Sequence, residues 1–331
     1  MSYHLGRNRL PYYPRTVSIE PTSFCNIRCL MCPHSFDSRW TNGHMDMELY
    51  KKIIQEIKEY AFRVILQIRG EPLLHKDIVE MVRISKSDGL DTGFNTNAVL
   101  LTKDLSARLI AAGLDAIAFS FNGETKEVHN WISQSECFDV MLQNVLNFLE
   151  IKKGTGSNRP SVRIQVMKFQ DWEGESGALK IGERFKRIFS GLPVDSIHGV
   201  FAINRAGDAR EKANISITPT RYEYLPCRWL WSDSAIGWNG NVYPCCNDFN
   251  EDYVLGNVAE IPLRDIWNGE KMLALRKTLV GGRHSEIPLC RDCDILYSVA
   301  EERSFARRAV ADVLRLIRKW KCRYFLCAGN P

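Results

Sequence analysis

The chain has 331 residues, 45% of them hydrophobic, which is enough for one large domain or for a large and a small one. Its formal net charge of +5 is mild, and the body of the sequence has no RNA-binding aromatic motif or Lys/Arg block, so composition argues against nucleic acid as a partner. No apolar run approaches the ~18 residues of a membrane span, and the N-terminus has no apolar signal-peptide core. Eleven cysteines in a chain without a signal peptide predict metal ligands in a reducing compartment, here the cytoplasm. A membrane partner is not expected, because the chain has no membrane span.

From Val17 to about Val200, short β-branched runs alternate with amphipathic stretches, a pattern typical of βα units on a parallel sheet. Six strands are predicted near residues 15–20, 64–68, 91–95, 116–120, 161–168 and 196–201. Helical stripes are predicted over residues 49–60, 78–82, 103–112, 139–153 and 177–189, with Asp46 as an N-cap. The pattern fits both an open doubly wound sheet and a barrel.

Directly after the first strand, Cys25, Cys29 and Cys32 stand at C-x3-C-x2-C spacing. Three thiolates so placed can hold three corners of a cubane iron–sulfur cluster and leave the fourth iron open to a substrate or cofactor. Zinc is the alternative, and it would need a fourth ligand, for which His34 is a candidate.

Polar residues follow the next strands, where ligands of parallel α/β proteins gather. The candidates are Gly70 and Glu71 after the second strand, Asn95 and Asn97 at the third, Ser120 and Asn122 at the fourth, and Arg163 and Gln165 on the fifth. Each group also fits an ordinary loop or turn, and Arg163 equally fits a solvent-facing sheet edge.

A second cysteine set follows a polar junction at residues 203–220. It comprises Cys227, Cys245, Cys246, Cys290 and Cys293. A hairpin with Asn-Gly at its turn is predicted over residues 237–244. Four thiolates would saturate a second 4Fe–4S cluster, and a zinc ribbon is the alternative.

One of the adjacent Cys245 and Cys246 is spare, because neighbours cannot easily ligate one cluster without backbone strain. Gly240, five residues before Cys245, assigns Cys245 as the ligand. Cys246 is then either a small apolar residue or a hydrogen-atom donor, and Cys137 has the same two interpretations.

The last segment, residues 303–331, has apolar and basic residues interleaved at helical spacing. Such a helix docks on the protein or a partner subunit, or lies on a membrane, and the first is favoured. Cys322 and Cys327 receive no metal.

The C-x3-C-x2-C motif and its flanks resemble the radical S-adenosylmethionine (SAM) superfamily. Arg69-Gly70-Glu71-Pro72 resembles the family's Gly-Gly-Glu segment, with Arg69 replacing its first Gly. The segment from Gly240 to Cys245, GNVYPC, is similar to the SPASM auxiliary-cluster domain in its shortened "twitch" form. The resemblance implies an α/β fold with a partial (β/α)6 TIM-like barrel (1–205), a small C-terminal iron–sulfur, twitch/SPASM-like domain (206–300) and a basic amphipathic terminal helix (301–331).

The resemblance also implies two 4Fe–4S clusters and SAM. It assigns Cys25, Cys29 and Cys32 to the SAM cluster, and Cys227, Cys245, Cys290 and Cys293 to the auxiliary cluster. It places the strand-end candidates on the SAM or substrate side of the barrel, as follows: Gly70, Glu71, Asn95, Asn97, Ser120, Asn122, Arg163 and Gln165.

The implied activity is reductive cleavage of SAM to a 5′-deoxyadenosyl radical that takes a hydrogen atom from substrate. The resemblance extends to small-molecule and sugar-modifying members, among them an alcohol-oxidising dehydrogenase of natural-product biosynthesis. We therefore expect dehydrogenation of a carbohydrate- or aminocyclitol-like molecule, with the auxiliary cluster as electron acceptor and a flavodoxin- or ferredoxin-type electron donor. The alternative is a sugar epimerase that uses Cys246 or Cys137 as hydrogen donor. A peptide-modifying maturase and a non-catalytic metal scaffold rank below both.

Overall fold

Nine strands form one sheet in the spatial order β6-β5-β4-β3-β2-β1-β7-β8-β9. They come from a computed structural model that describes residues 6–35, 41–168, 180–201, 224, 226–291, 293 and 296. The strands are β1 Thr16–Ile19, β2 Arg63–Ile65, β3 Asp91–Thr96, β4 Ala116–Phe121, β5 Ser161–Lys168, β6 Ser196–Phe201, β7 Asp233–Ile236, β8 Asn241–Tyr243 and β9 Gly256–Asn257. All six strands predicted before residue 202 are confirmed, two of them at their predicted bounds.

Helices follow the strands as the alternating pattern predicts. They are α1 Met47–Ile57, α2 Ile78–Ser87, α3 Lys103–Ala111, α4 Lys126–Ser133, α5 Phe138–Thr155 and α6 Glu183–Ile188, followed by Trp229–Ser232, Leu263–Trp267, Glu270–Val280 and Pro288–Arg291. Helix α4 was not predicted. The helix predicted over 177–189 is shorter, and its first residues, up to 179, lie outside the described residues.

Helix α1 shows how the local sequence determines an element. The Asp46 carboxylate accepts hydrogen bonds from the backbone N–H groups of Glu48 and Leu49 at 2.8 and 3.2 Å, as the N-cap prediction requires. One face of the helix is buried, as the predicted apolar stripe requires, and it consists of Tyr50, Ile53, Ile54 and Ile57.

The side chains of strand β4 point alternately to the helix-covered face of the sheet and to its polar face. The Phe119 ring lies 5.4 Å from that of Phe148 on α5, and the Phe121 ring lies 5.2 Å from that of Phe185 on α6. Side chains alternate along a strand, so Ser120 lies on the opposite face. This opposite face is the inner side of the partial barrel.

The sheet is open. Strands β1 to β6 are parallel, and the far side of β1 pairs in parallel with β7, from Thr16 beside Asp233 to Ile19 beside Ile236. The predicted hairpin is present as β7 and β8, with Gly240 at a φ of +86° in its turn. The hairpin next to the second cysteine set therefore extends the same sheet, and the described residues up to 201 belong to one compact unit with those from 226 to 293.

Several predictions fall outside the described residues. These are the domain boundaries at 205/206 and 300/301, the polar junction at 203–220 and the terminal helix at 301–331. Within the described residues, no helix has both the length and the apolar character needed to cross a bilayer.

Candidate active site

The first cysteine loop lies between β1 and α1 and is anchored to the end of α4. Arg28 donates its backbone N–H to the carbonyl of Ser133 at 3.3 Å, and Leu30 donates to the carbonyl of Ile132 at 2.9 Å. Cys32 donates its own N–H to the carbonyl of Cys29 at 2.9 Å, which makes a compact turn. The helix that the sequence did not predict thus positions the most recognisable motif.

The thiols of this loop interact electrostatically with one another. Burial raises the pKa of the Cys25 thiol to about 11, and the neighbouring Cys32 adds to the rise. Burial also raises the pKa of Cys29, again reinforced by Cys32 and Cys25. Three thiolates would repel one another here, and bound iron would supply the compensating positive charge because metal binding deprotonates its thiol ligands.

The loop rests on Gly70 and Glu71. A Cβ atom on Gly70 would lie 2.2 Å from the carbonyl oxygen of Thr22 and 2.5 Å from that of Phe24, so the backbone approaches too closely for a side chain. Glu71 donates its N–H to the same Phe24 carbonyl at 2.8 Å.

The buried Glu71 carboxylate connects the second strand end to the third. It accepts from the Thr96 hydroxyl at 2.7 Å, the Asn97 N–H at 2.8 Å and the Leu73 N–H at 3.1 Å. Burial raises the pKa of Glu71 to about 6, and these donors oppose the rise.

Arg69, which departs from the Gly-Gly-Glu pattern, points toward the second cysteine region. It donates from Nε and Nη2 to the two carboxylate oxygens of Glu20 at 2.8 and 2.6 Å, in a bidentate pair whose side chains are both fully buried. Its Nη1 donates to Glu251 at 2.7 Å and to the carbonyl of Phe249 at 3.2 Å. Sequence analysis missed this connection, although an Arg beside a Gly-Glu pair and a Glu just before the cysteine loop were visible.

The inner face carries a row of polar residues. Register places Ser120, Gln165 and His198 side by side on β4, β5 and β6, and Arg163 beside Ala118. His198 was missed, and its signal was a His at the matching position of the next strand. Burial lowers the pKa of His198, and the positive charge of Arg163 adds to this, so the imidazole is neutral at pH 7.

The remaining strand-end candidates contact residues that follow other strands. Asn95 donates its N–H to the Gln67 side-chain oxygen at 3.0 Å, and Asn97 donates from Nδ2 to the Asn26 side-chain oxygen at 2.8 Å. Asn122 reaches the cysteine loop itself, with Nδ2 donating to the Cys29 sulfur at 3.1 Å.

The second thiol set is assembled from separate segments. Cys227 precedes the helix Trp229–Ser232, and Cys245 follows β8. Cys290 lies in the helix Pro288–Arg291, and Cys293 comes shortly after that helix. Burial raises the pKa of Cys227, and Cys293 and Cys290 reinforce the rise. Burial raises the pKa of Cys245 strongly, with contributions from Cys246, Cys227 and Cys293. These mutual contributions to the raised pKa values are what the predicted four-thiol ligand set would produce.

The two candidate hydrogen donors lie in different surroundings. Cys246 is half-buried and packs against the core group of Ile68, Ala235 and Tyr243. Cys137 is buried, with its sulfur 3.5 Å from Nε2 of His129.

Cys137 lies among aromatic side chains of the helices that cover the outer side of β4. The His129 ring lies 5.4 Å from that of Phe138 and 6.0 Å from that of Phe121. Since Phe121 points toward the helices, Cys137 lies on the side of β4 away from the polar row, whereas Cys246 follows the hairpin.

Both thiol sets fit iron–sulfur clusters by their donor chemistry. Among the described residues, no group of three or more His, Cys, Asp or Glu side chains is arranged to hold a single metal ion. The fit rests on two groups of thiols, three in one and four in the other, that are half-buried except for the buried Cys227. Three ligands leave one iron of a 4Fe–4S cluster open, and four saturate it.

Two family matches cover the two regions. Residues 19–162 match the radical SAM superfamily, and residues 227–294 match SPASM, an iron–sulfur cluster-binding domain. The first range contains the C-x3-C-x2-C loop, and the second contains the four thiols of the other set.

Two relatives are similar over most of their length. The S-adenosyl-L-methionine-dependent 2-deoxy-scyllo-inosamine dehydrogenase of Niallia circulans is 24% identical over 300 residues, which cover 86% of this chain and 95% of that protein. The tungsten-containing aldehyde ferredoxin oxidoreductase cofactor-modifying protein of Pyrococcus furiosus is 24% identical over 320 residues, which cover 84% and 86%.

Solved structures share the fold. The crystal structure of BtrN in complex with AdoMet and 2-DOIA has a TM-score of 0.58 at 22% identity, over 86% of this chain and 94% of that one. Streptococcus suis SuiB bound to precursor peptide SuiA has a TM-score of 0.62 at 15% identity, over 87% and 71%. A small-molecule complex and a peptide complex thus occur on one architecture, and fold alone does not select the substrate.

Proposed function

Because the chain belongs to the SPASM-type radical SAM proteins, we propose that it dehydrogenates a hydroxyl-bearing carbon of a carbohydrate- or aminocyclitol-like small molecule. The chain is a radical SAM enzyme that uses 4Fe–4S clusters and SAM. Its similarity to an aminocyclitol dehydrogenase over 95% of that protein supports the reaction type.

The observation that carries the proposal is the four-thiol set. Electrostatic coupling links Cys227, Cys245 and Cys290 each to Cys293, which supports the assignment of these four thiols to one cluster. A saturated cluster has no iron to offer a substrate, and electron transfer is its remaining use. An oxidation needs such an acceptor, whereas an epimerisation conserves electrons.

The chain's own residues would bind and orient the substrate on the inner face. When bound, the first cluster with SAM supplies reductive cleavage of SAM, which starts the radical chemistry. Ser120 and Gln165 offer hydrogen bonds to hydroxyl groups of a polar ring. The neutral imidazole of His198, beside Arg163, offers a proton acceptor on the same face.

The test is anaerobic reconstitution followed by incubation with dithionite, SAM and 2-deoxy-scyllo-inosamine or a panel of sugars in D2O. Dehydrogenation predicts 5′-deoxyadenosine together with a product two mass units lighter. Solvent deuterium on a product carbon without net oxidation would instead indicate an epimerase, and the Cys246→Ala and Cys137→Ala variants would then identify the donor. Formation of 5′-deoxyadenosine only with a peptide substrate would contradict the proposal.

A low-potential flavodoxin or ferredoxin is the electron donor that this chemistry calls for. Replacing dithionite with reduced flavodoxin or reduced ferredoxin in the same assay tests that partner, with 5′-deoxyadenosine as the readout.

A further inference from the structure

Asn122 directs its side-chain amide at a sulfur of the first cysteine loop. It follows directly on β4 and is 5% exposed. Its Nδ2 atom donates to the Cys29 sulfur at 3.1 Å and to the Ser133 hydroxyl oxygen at 2.8 Å. Both hydrogens of the amide nitrogen are therefore directed, one of them at a predicted cluster ligand.

The amide orientation follows from the chemistry of the sulfur. A thiolate that ligates iron carries no proton and only accepts hydrogen bonds, so the nitrogen and not the oxygen of the amide must face it. The backbone N–H of Asn122 also donates to Nδ1 of His129 at 3.1 Å. Burial lowers the pKa of His129 to about 4, so the ring is neutral and accepts at Nδ1.

The partners of Asn122 belong to one rigid frame. Ser133, which accepts from its amide, also accepts from the backbone of Arg28 in the cysteine loop. The next loop contact, from Leu30 to Ile132, lies one residue earlier on the same helix. The end of α4 therefore sets the position of the amide and of the loop together, which fixes the contact between nitrogen and sulfur.

A hydrogen bond to a cluster sulfur changes the redox balance. Reduction adds negative charge to the cluster and its thiolates, so a donor stabilises the reduced state more than the oxidised one. We propose that Asn122 raises the reduction potential of the cluster held by Cys25, Cys29 and Cys32, by donating to Cys29. This role rests on the cluster chemistry of the proposed function and is independent of the substrate.

The experiment is an EPR-monitored redox titration of the full-length protein with both clusters reconstituted. Asn122→Leu removes the donor at similar size, and Asn122→Asp keeps the shape while replacing the donor with an acceptor. Both variants are expected to shift the midpoint potential of the first cluster to more negative values, with the larger shift for Asn122→Asp. Ser133→Ala is the comparison variant, because it removes the other partner of the amide but keeps the donor to Cys29, and its shift is expected to be smaller than that of Asn122→Leu. The second cluster is an internal reference and keeps its potential.

Three results would overturn the inference. The first is an unchanged midpoint in Asn122→Asp, which differs from the native side chain by one atom group and serves if Asn122→Leu does not load the cluster. The second is an equal shift in both clusters, which would indicate a general effect on the fold. The third is a weaker SAM affinity at unchanged potential, which would make Asn122 a SAM contact. Failure to oxidise 2-deoxy-scyllo-inosamine or the sugars, with the shift intact, would reject the proposed function alone.

Discussion

The two thiol sets are built in opposite ways. Cys25, Cys29 and Cys32 lie within eight consecutive residues, in one loop between β1 and α1. The second set joins segments that run from Cys227 to Cys293 and needs the hairpin to be in place. A local set depends on the support beneath one loop, whereas a dispersed set depends on the global fold.

Of three consecutive residues, two contact the first thiol loop and one contacts the region of the second thiol set. Gly70 and Glu71 lie against the carbonyls of Thr22 and Phe24 in the first loop. Arg69 instead joins Glu20 to the segment that follows Cys245 and Cys246. Changes at neighbouring positions should therefore have separable effects on the two regions.

The largest expected effect comes from removing one predicted cysteine ligand from each cluster in turn. Cys25→Ala should abolish SAM cleavage, because the first cluster loses one of three ligands. Under the proposed function, Cys290→Ala should leave SAM cleavage but abolish substrate oxidation, because the proposed electron acceptor is lost. Iron should fall from about eight per chain to about four in either variant. Measurement of iron and 5′-deoxyadenosine checks this, and loss of SAM cleavage in both variants would show that the sets are not independent.

Next in size is the buried ion pair of Arg69 and Glu20. Arg69→Met should lower the free energy of unfolding by about 3–5 kcal/mol, because the buried Glu20 carboxylate loses its charged partner. Glu20→Gln should cost less, because Arg69 keeps its ion pair with Glu251 at 2.7 Å. The double variant should recover part of the loss, as a double-mutant cycle by urea denaturation can show. Auxiliary-cluster iron should be lost before SAM-cluster iron.

A surface pair provides the control for this prediction. Lys51 and Glu48 are 2.6 Å apart with side-chain exposures of 49% and 80%, and Lys51→Met should leave the unfolding midpoint unchanged. Equal effects of Arg69→Met and Lys51→Met would contradict the structural role of the buried pair.

Gly70→Ala should reduce stability by about 1–3 kcal/mol, because its Cβ would overlap the backbone of the cysteine loop. Gly154→Ala is the matched control, since α5 carries Gly154 with no atom within 4 Å of the added Cβ. That change should stabilise the helix by ~0.5–1 kcal/mol. Thermal or urea unfolding measures both, and a neutral Gly70→Ala would show that the loop can move away.

The last prediction is a pH dependence from Glu71, similar in size to the expected effect of Gly70→Ala. Its pKa is about 6 in the folded state against an ordinary value of 4.5, so the folded protein binds the proton more tightly. Stability from this group is present below about pH 4.5 and is lost as pH rises through about 6, by about 2 kcal/mol in total.

Urea denaturation of metal-free wild-type and Glu71→Gln proteins between pH 4.5 and 7 measures this difference, because acid would remove the clusters. The stability of wild type relative to Glu71→Gln should decline across that range. Parallel curves for the two proteins would contradict the raised pKa.

The order of strands and helices along the barrel was predictable, because each strand and most helices have a local sequence signal such as an apolar pattern or a cap. The β-branched run of β5 and the Asp46 cap of α1 are examples. Helix α4 was not predicted, because its sequence, KEVHNWIS, is short and mixes polar and apolar residues. Its C-cap at Gln134, with a φ of +51°, uses no glycine signal.

The chemistry of the first thiol set could be predicted from the sequence, since the spacing of thiols within one loop is a local property that predicts a three-ligand set. The residues that support this loop became visible only in the folded chain. The pairing of β1 with β7, the burial of Arg69 against Glu20 and the contact of Asn122 with Cys29 join residues far apart in the chain. Such contacts arise from strand order and desolvation, which depend on the whole fold and leave no periodic trace in the sequence.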